Sequence, residues 1–138
     1  MGNITFAIIK PDSIRLNNTG KIYNHILTSG FTIRGAKLIN LTKKQAQQFY
    51  LVHKDRPFYD ELTDFMSSGQ CMVLALEKEN AVNEWRNTIG NTNPKEANNG
   101  TIRKLYGTNV GENAVHGSDS DENAKKEIGF FFSKYELI

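Results

Sequence analysis

The side chains best suited to chemistry lie in a stretch rich in glycine, asparagine and threonine, between residues 90 and 120. Within it, His116 comes just before the start of a predicted helix, where an imidazole could act as a nucleophile or a general base. Thr92 and Arg103 carry hydrogen-bond donors that suit phosphate oxygens, and Arg86 lies at the edge of the same region. Because glycines let a backbone approach a ligand closely, this stretch is a candidate binding loop.

Each of these residues, taken alone, also has a structural explanation without any catalytic role. A single loop histidine such as His116 is more often a surface residue or a hydrogen-bonded core residue. Arg86 fits a solvated helix face, and Lys10 fits a surface lysine at the end of a strand. Three further side chains fit ordinary core or helix packing: Phe58, Val110 and Tyr50. Only the combination of these residues favours a functional site.

Several common nucleotide and metal signatures are missing from the sequence. Gly20 and Lys21 are followed by Ile22, so there is no phosphate-binding loop of the G-x-x-x-x-G-K-[ST] type. Neither G-x-G-x-x-G nor H-E-x-x-H occurs. The histidines are far apart in the sequence and lack paired spacing, so no zinc site is expected. They are His25, His53 and His116.

Hydrophobic spacing and turn residues predict alternating strands and helices. The predicted strands are 4–9, 31–39, 71–76 and 129–132. The predicted helices are 19–29, 42–53, 59–67 and 80–89, with a short one that begins at Ser120. Thr42 and Gln45 form a capping-box pattern at the start of the second of these helices. This order predicts an α+β fold, a ferredoxin-like sandwich with a four-stranded antiparallel sheet covered by helices. Since no repeat or linker is visible, residues 1–138 are expected to form a single domain.

Composition limits the classes of partner and compartment. The net charge is only +2 and charged residues make up 23% of the chain, so neither nucleic acid nor an anionic membrane is expected as the main partner. The one cysteine, Cys71, excludes an internal disulfide and a multi-cysteine metal site. No stretch has the length and apolarity of a membrane span, and the first residues do not resemble a signal peptide. The expected compartment is therefore the cytoplasm.

Taken together, the motifs resemble those of nucleoside diphosphate kinases, and the resemblance covers essentially the whole chain. The most specific run is Asn113-Ala114-Val115-His116-Gly117-Ser118-Asp119-Ser120. The other matching segments are Ala7 to Asp12, Phe49-Tyr50, His53, Pro57-Phe58, Ser68-Gly69, Trp85-Arg86, Gly90 to Pro94 and Gly100 to Arg103. Composition and periodicity alone would not indicate this function.

The resemblance implies phosphoryl transfer by a ping-pong mechanism. His116 would take the γ-phosphoryl group of a nucleoside triphosphate and pass it, as a phosphohistidine, to a nucleoside diphosphate. Glu127, itself bonded to Ser118, would hold the ring nitrogen farther from the backbone. A carboxylate that accepts this N–H fixes the tautomer and leaves the other nitrogen free to attack. Such transfer depends mainly on positioning and charge neutralisation.

The same resemblance implies roles for the remaining residues. Tyr50 would lie beside the catalytic histidine, and His53 would lie near the phosphates. The phosphates themselves would be held by Arg86, Thr92 and Arg103. Lys10 and Asn113 would bind the ribose 3′-hydroxyl, and Lys10 would also stabilise the transferring charge.

At the outer end of the nucleotide, the resemblance implies that Phe58 and Val110 enclose the base. Mg²⁺ would bridge the phosphates and contact the protein mainly through water, with Asp119 close by. The implied partners are nucleoside triphosphates, nucleoside diphosphates and further copies of the chain, in a homo-oligomer that is a hexamer or a tetramer.

The chain departs from the family pattern near Gly100. Family members commonly have a proline before the Gly-Thr-Ile-Arg run, where this chain has Asn98 and Asn99. After Arg103 comes Lys-Leu-Tyr, where an acidic or small residue is more usual. Because family oligomers use this loop in subunit contacts, the departures concern assembly more than chemistry.

Two other classes of function stay open at the level of sequence. One is a nucleic-acid-binding or regulatory protein on the same fold, which would show salt-dependent DNA binding without transferase activity. The other is a histidine phosphocarrier without a nucleotide substrate. A phosphocarrier would not need Thr92, Arg103, Lys10 and Asn113 together.

Overall fold

The structure is a computed structural model that describes residues 2–138. Its strands are Ile4–Ile9 (β1), Thr32–Asn40 (β2), Gln70–Glu77 (β3) and Val115–Gly117 (β4). Its α-helices are Pro11–Arg15 (α1), Thr19–Thr28 (α2), Lys43–Phe49 (α3), Tyr59–Met66 (α4), Ala81–Ile89 (α5), Ile102–Tyr106 (α6) and Asp121–Phe131 (α7). Short 3₁₀ turns lie at Leu51–His53, Pro94–Glu96 and Lys134–Glu136.

The four strands form one antiparallel sheet in the order β2-β3-β1-β4. In β1, Ile8 lies between Val73 of β3 and His116 of β4. The helices cover both faces of the sheet, and this arrangement confirms the predicted α+β, ferredoxin-like fold.

Side chains of β1 point alternately to the two faces and anchor a core on each, as expected for a buried strand. Ala7 and Ile9 face one cluster, whose other members include Ile22, Ile26 and Trp85 from α2 and α5. Phe6 and Ile8 face the second cluster, whose other members include Ala46, Met66 and Ile128 from α3, α4 and α7. Burial of each large apolar side chain stabilises the fold by about 1.5–3 kcal/mol.

The prediction of a fourth strand at residues 129–132 is wrong. That segment forms the end of α7 and the residue that follows it, and the fourth strand is β4 instead. Helical spacing explains this, because Ile128 and Phe132 lie four residues apart, and both side chains are buried on the same face of the sheet. β4 was hard to predict because it has only three residues and lies in a polar, glycine-rich stretch.

Other differences concern short helices. α1 and α6 were not predicted, and each has only five residues. Pro11 directly follows the end of β1, and its fixed φ suits the first position of α1. The capping box at Thr42 is confirmed, although α3 ends at Phe49 and the chain continues to His53 as a 3₁₀ turn. Within residues 2–138, no helix is both long enough and apolar enough to cross a membrane.

Candidate active site

His116 lies on β4, at the edge of the sheet, where backbone and side-chain contacts fix it. Trp85 of α5 donates its indole N–H to the His116 carbonyl oxygen at 3.2 Å. The same indole packs against Gly117, where a Cβ atom would lie only 2.8 Å from the Trp85 ring. A side chain at that position would therefore push β4 away from α5. These contacts set the position of the His116 backbone.

The His116 ring is oriented by one carboxylate. Its Nε2 lies 2.8 Å from Oε1 of Glu127 on α7, and the Ser118 hydroxyl donates to that same oxygen at 2.8 Å. The sequence resemblance implied this chain of three side chains, and the structure brings them together. With a carboxylate at Nε2, that nitrogen carries the proton and the lone pair of Nδ1 is free.

Aromatic rings surround the imidazole and limit its rotation. Phe6, Phe49 and Tyr50 meet the His116 ring edge-on, with centroid distances of 6.0, 5.6 and 6.3 Å. The Tyr50 hydroxyl is buried and has no hydrogen-bond partner among residues 2–138. Burial raises the pKa of Tyr50 far above its ordinary value, so the phenol is neutral at physiological pH.

His116 opens into a cleft of about 770 Å³. The cleft brings together most of the residues that the sequence singled out. Those that line it are Lys10, Tyr50, His53, Phe58, Thr92, Arg103, Val110, Asn113 and His116. Phe58 and Val110 are about half exposed, at 46% and 56%. They present apolar surface to the cleft, and the His53 ring lies 5.4 Å from the Phe58 ring.

Lys10 is buried at the end of β1, and its ammonium group faces the cleft. Its Nζ donates to Asn113 Oδ1 at 2.8 Å, while Asn113 Nδ2 donates to the Thr92 carbonyl oxygen at 3.0 Å. Burial and, to a smaller extent, the nearby Arg103 lower the pKa of Lys10 to about 8, while Asp12 opposes the shift. Lys10 therefore titrates close to physiological pH.

Arg103 on α6 is a second buried cation, with only 9% of its surface exposed. Its guanidinium donates to the carbonyl oxygens of Gly90 at 3.0 Å and Val115 at 2.9 Å, so it joins the long loop to β4. Burial, with a contribution from Arg86, lowers the pKa of Arg103 to about 10. Its Nε has no partner among the described residues.

Arg86 does not line the main cleft. It lies on the exposed side of α5, in an adjoining polar cleft of about 680 Å³ that shares Thr92 and Arg103 with the first. Lys10, Arg103 and Arg86 thus place three positive charges around Thr92. Because Lys10 and Arg103 are buried cations with lowered pKa values, an anion bound between them would relieve both desolvation and repulsion. The arrangement is suited to a polyanion such as a phosphate chain.

Comparison with known proteins agrees with this geometry. The family model for nucleoside diphosphate kinase matches residues 3–137. The chain belongs to the nucleoside diphosphate kinase family. The nucleoside diphosphate kinase of Persephonella marina is 59% identical over 134 residues, which cover 97% of this chain and 96% of that protein. That of Geotalea uraniireducens is 55% identical over the same number of residues, with coverage of 97% and 98%.

Solved structures of nucleoside diphosphate kinases share the fold. The enzyme of Aquifex aeolicus superposes with a TM-score of 0.97 at 41% identity, with 99% of each chain covered. A halophilic enzyme from Halobacterium salinarum, solved in complex with CDP, superposes with a TM-score of 0.94 at 33% identity, with 100% of this chain and 92% of that chain covered. The activity of this chain is accordingly that of a nucleoside diphosphate kinase, a phosphotransferase that acts on nucleotides.

Nucleoside diphosphate kinase activity implies a divalent metal ion. Within residues 2–138, no group of three or more His, Cys, Asp or Glu side chains could hold such an ion. Asp119 is exposed and lines neither cleft; hydrogen bonds from Asn123 and Ser120 lower its pKa, and Arg86 contributes to the same shift. A lone ionised carboxylate near Arg86 fits an ion that takes most of its ligands from phosphates and water.

Sequence reasoning missed several residues around the nucleoside diphosphate kinase cleft. Glu112 lines it and forms an ion pair with Arg15 at 2.6 Å, but nothing in its spacing indicated this. Trp85 was noted only as part of a motif, although it holds the His116 backbone. Asp12 was noted only within the matching segment from Ala7 to Asp12, although it is fully buried and accepts a hydrogen bond from the Ala114 N–H, next to Asn113.

Proposed function

We propose that the enzyme transfers the γ-phosphoryl group from a nucleoside triphosphate to a nucleoside diphosphate by a ping-pong mechanism, through a phosphohistidine at His116. The observation that carries the proposal is the bond between His116 Nε2 and Glu127. It leaves Nδ1 as the nitrogen with a free lone pair, in a ring that lines the cleft. Ser118 supports the orientation because its hydroxyl bonds to the same carboxylate oxygen.

In the proposed complex, the phosphate chain lies among the cationic groups. Arg103 and Arg86 bind phosphate oxygens, Thr92 donates its hydroxyl, and His53 approaches from the 3₁₀ turn after α3. The neutral Tyr50 phenol is free to donate to an oxygen beside His116, which agrees with its buried, unused hydroxyl among the described residues. Charge stabilisation in this partly buried setting supplies most of the expected rate enhancement.

The nucleoside is proposed to lie toward the cleft mouth. Lys10 and Asn113, which already share a hydrogen bond, would bind the ribose 3′-hydroxyl, and Lys10 would neutralise charge on the transferring group. Phe58 and Val110 would enclose the base. The Halobacterium salinarum relative was solved in complex with CDP, which supports nucleotide binding by this chain.

We further propose Mg²⁺ as the divalent ion, bound by the phosphates, with Asp119 contacting it through water. When bound, it would neutralise phosphate charge and align the phosphate chain. For the assembly, the resemblance supports a homo-oligomer, a hexamer or a tetramer, of single-domain chains over residues 1–138. Both apolar clusters share one sheet, which supports the single domain. The proposed compartment is the cytoplasm, in agreement with the free thiol of Cys71.

The first prediction is broad base tolerance. Phe58 and Val110 contact the base through apolar surface and cannot form hydrogen bonds with its edge. Adenine, guanine and pyrimidine nucleoside diphosphates should therefore have kcat/KM values within about a hundredfold of one another. Phe58→Leu should raise KM for all of them alike. Steady-state kinetics with four diphosphates tests this, and a preference above about 10⁴ for one base would mean that a polar group reads the base edge.

The second prediction concerns pH. Lys10 has a pKa of about 8 in the free enzyme, so its positive charge is lost as the pH rises through that value. A bound anion favours the charged form of Lys10, so nucleotide binding above this pH requires the uptake of a proton. As the pH rises above the pKa of Lys10, kcat/KM should therefore fall by up to about tenfold per pH unit. In Lys10→Gln, kcat/KM should be lower at neutral pH and should no longer fall as the pH rises. If kcat/KM of Lys10→Gln still falls as in the wild type, another group causes the pH dependence.

Initial-rate kinetics with a donor and an acceptor of different bases test the proposed function itself. Because a ping-pong enzyme releases ADP before the acceptor binds, double-reciprocal plots for ATP at several fixed concentrations of a pyrimidine nucleoside diphosphate should be parallel. Without an acceptor, mixing the enzyme with ATP should release a burst of one ADP per chain. Intersecting plots without such a burst would indicate direct transfer between two bound nucleotides, and the phosphohistidine proposal would be wrong.

A further inference from the structure

The backbone makes a strained turn at Ala114, two residues before His116. The φ angle of Ala114 is +74°, in the left-handed region that residues other than glycine rarely adopt. The Val115 N–H donates to the Asn113 carbonyl oxygen at 2.9 Å and so closes a three-residue γ-turn with positive φ, a rare form. Such a conformation persists only where its surroundings hold it in place.

Residues 10–13 hold this turn from one side. The Ala114 N–H donates to Oδ2 of Asp12 at 3.0 Å. The Ala114 carbonyl oxygen accepts from the Lys10 N–H at 2.9 Å and from the Ser13 hydroxyl at 3.3 Å. Of these contacts, only the one from Asp12 comes from a carboxylate, and a charged acceptor forms the stronger bond.

Asp12 also lies in the first turn of α1 and interacts electrostatically with Lys10, but its side-chain hydrogen bond among the described residues is the one from Ala114. It is fully buried, and its second oxygen, Oδ1, has no partner within residues 2–138. Burial raises the pKa of Asp12, and the bond from the Ala114 N–H opposes that shift. A buried carboxylate with one unsatisfied oxygen is costly to the fold, so a structural role alone explains it poorly.

The turn that Asp12 holds lies between two residues of the proposed site. On one side, Asn113 bonds to Lys10 Nζ and to the Thr92 carbonyl oxygen, so its placement fixes the ribose end. On the other side, Val115 leads directly to His116 in β4. A rotation of the Ala114 peptide would displace both residues relative to each other.

We propose that Asp12 is a positioning residue, whose bond to the Ala114 N–H holds the left-handed turn that places Asn113 and His116 in register for phosphoryl transfer. Asp12 touches neither substrate nor the reacting atoms in this account. The inference rests on the proposed function, in which Asn113 binds the ribose and His116 receives the phosphoryl group, so that the two residues must keep a fixed separation.

Four variants separate this role from a general effect on folding. Asp12→Leu removes the acceptor and keeps a side chain of similar size, while Asp12→Asn keeps an oxygen that can accept the Ala114 N–H. Ala114→Gly allows positive φ without steric cost, so it reduces the need for the anchor. Glu79→Leu removes an exposed acid away from the cleft and serves as the matched control.

The measurement is the rate at which [γ-³²P]ATP labels His116, together with thermal unfolding of each variant. Asp12→Leu should slow labelling by about a hundredfold, the size of effect that small misplacements of reacting groups produce. Asp12→Asn should retain most of the rate, and Glu79→Leu all of it. Adding Ala114→Gly to Asp12→Leu should raise the labelling rate again by about tenfold or more, because glycine adopts the turn without strain and the turn no longer needs the anchor.

Three results would overturn the inference. They are an unchanged rate in Asp12→Leu, equal losses in Asp12→Leu and Asp12→Asn, and no recovery on adding Ala114→Gly. If Asp12→Leu alone does not fold, the double variant of Asp12→Leu and Ala114→Gly decides. A double variant that folds and is active supports loss of the turn as the cause of the defect, and one that does not fold refutes the inference. Wild-type labelling at a residue other than His116 would refute the proposed function instead, so the two failures are distinguishable.

Discussion

Replacement of His116 by alanine is expected to lower kcat for nucleotide phosphorylation by at least about 10⁴-fold. The imidazole is the proposed nucleophile, and His116 is the histidine whose ring bonds to Glu127. His25 lies on α2 and lines neither cleft. His25→Ala is therefore the matched control, and its kcat should equal that of the wild type. Coupled spectrophotometric assays over a wide range of enzyme concentration measure both variants.

Removal of His116 should leave the nucleotide affinity within a few fold of the wild type, because Lys10, Arg103 and Thr92 remain in the cleft. Binding of a labelled nucleoside diphosphate by equilibrium dialysis checks this point. A His116→Ala variant that keeps more than about a tenth of the wild-type kcat would mean that another group receives the phosphate.

Arg103→Ala should give the second-largest effect. A guanidinium that binds phosphate oxygens contributes charged hydrogen bonds worth about 2–4 kcal/mol in a transition state, so kcat/KM should fall by about 30- to 1,000-fold. Arg103 also donates to the Gly90 and Val115 carbonyl oxygens. The variant should therefore lose about 1–3 kcal/mol of unfolding free energy as well.

Two measurements separate these effects of Arg103. Urea unfolding gives the loss of stability, and kinetics at a temperature where the variant is fully folded gives the loss of transition-state binding. Arg34 pairs with Glu77 on the sheet and lines neither cleft, so Arg34→Ala is the matched control. If folded Arg103→Ala keeps normal kcat/KM, Arg103 has only the structural role.

Local rules predicted the long elements because local forces dominate there. The apolar run of β1 and the capping box at Thr42 are strong signals that tertiary contacts do not override. The prediction of the fourth strand was wrong for the opposite reason, because tertiary packing overrides local propensity in that segment. The aromatic run at 130–132 suits a strand by propensity, but its packing against Phe6 follows helical spacing, and Phe131 stacks on that ring at 5.4 Å.

The candidate site was predictable only through the resemblance to nucleoside diphosphate kinases. Lys10, Phe58 and His116 are far apart in the sequence, and no spacing rule brings them to one cleft. The contacts of Asp12 and Trp85 could not be predicted at all, since both involve backbone groups of distant residues. Such contacts depend on the register of β4 beside β1, which no local pattern specifies.

The central claim is covalent catalysis at His116, and one measurement tests it most directly. The enzyme is incubated with [γ-³²P]ATP and Mg²⁺ without a diphosphate acceptor, and the labelled residue is identified by peptide mapping. We expect one phosphate per chain on His116, stoichiometric release of ADP, a bond that is stable to alkali and labile to acid, and discharge when a diphosphate is added. Transfer without a labelled intermediate, or a label that persists on histidine in His116→Ala, would contradict the account.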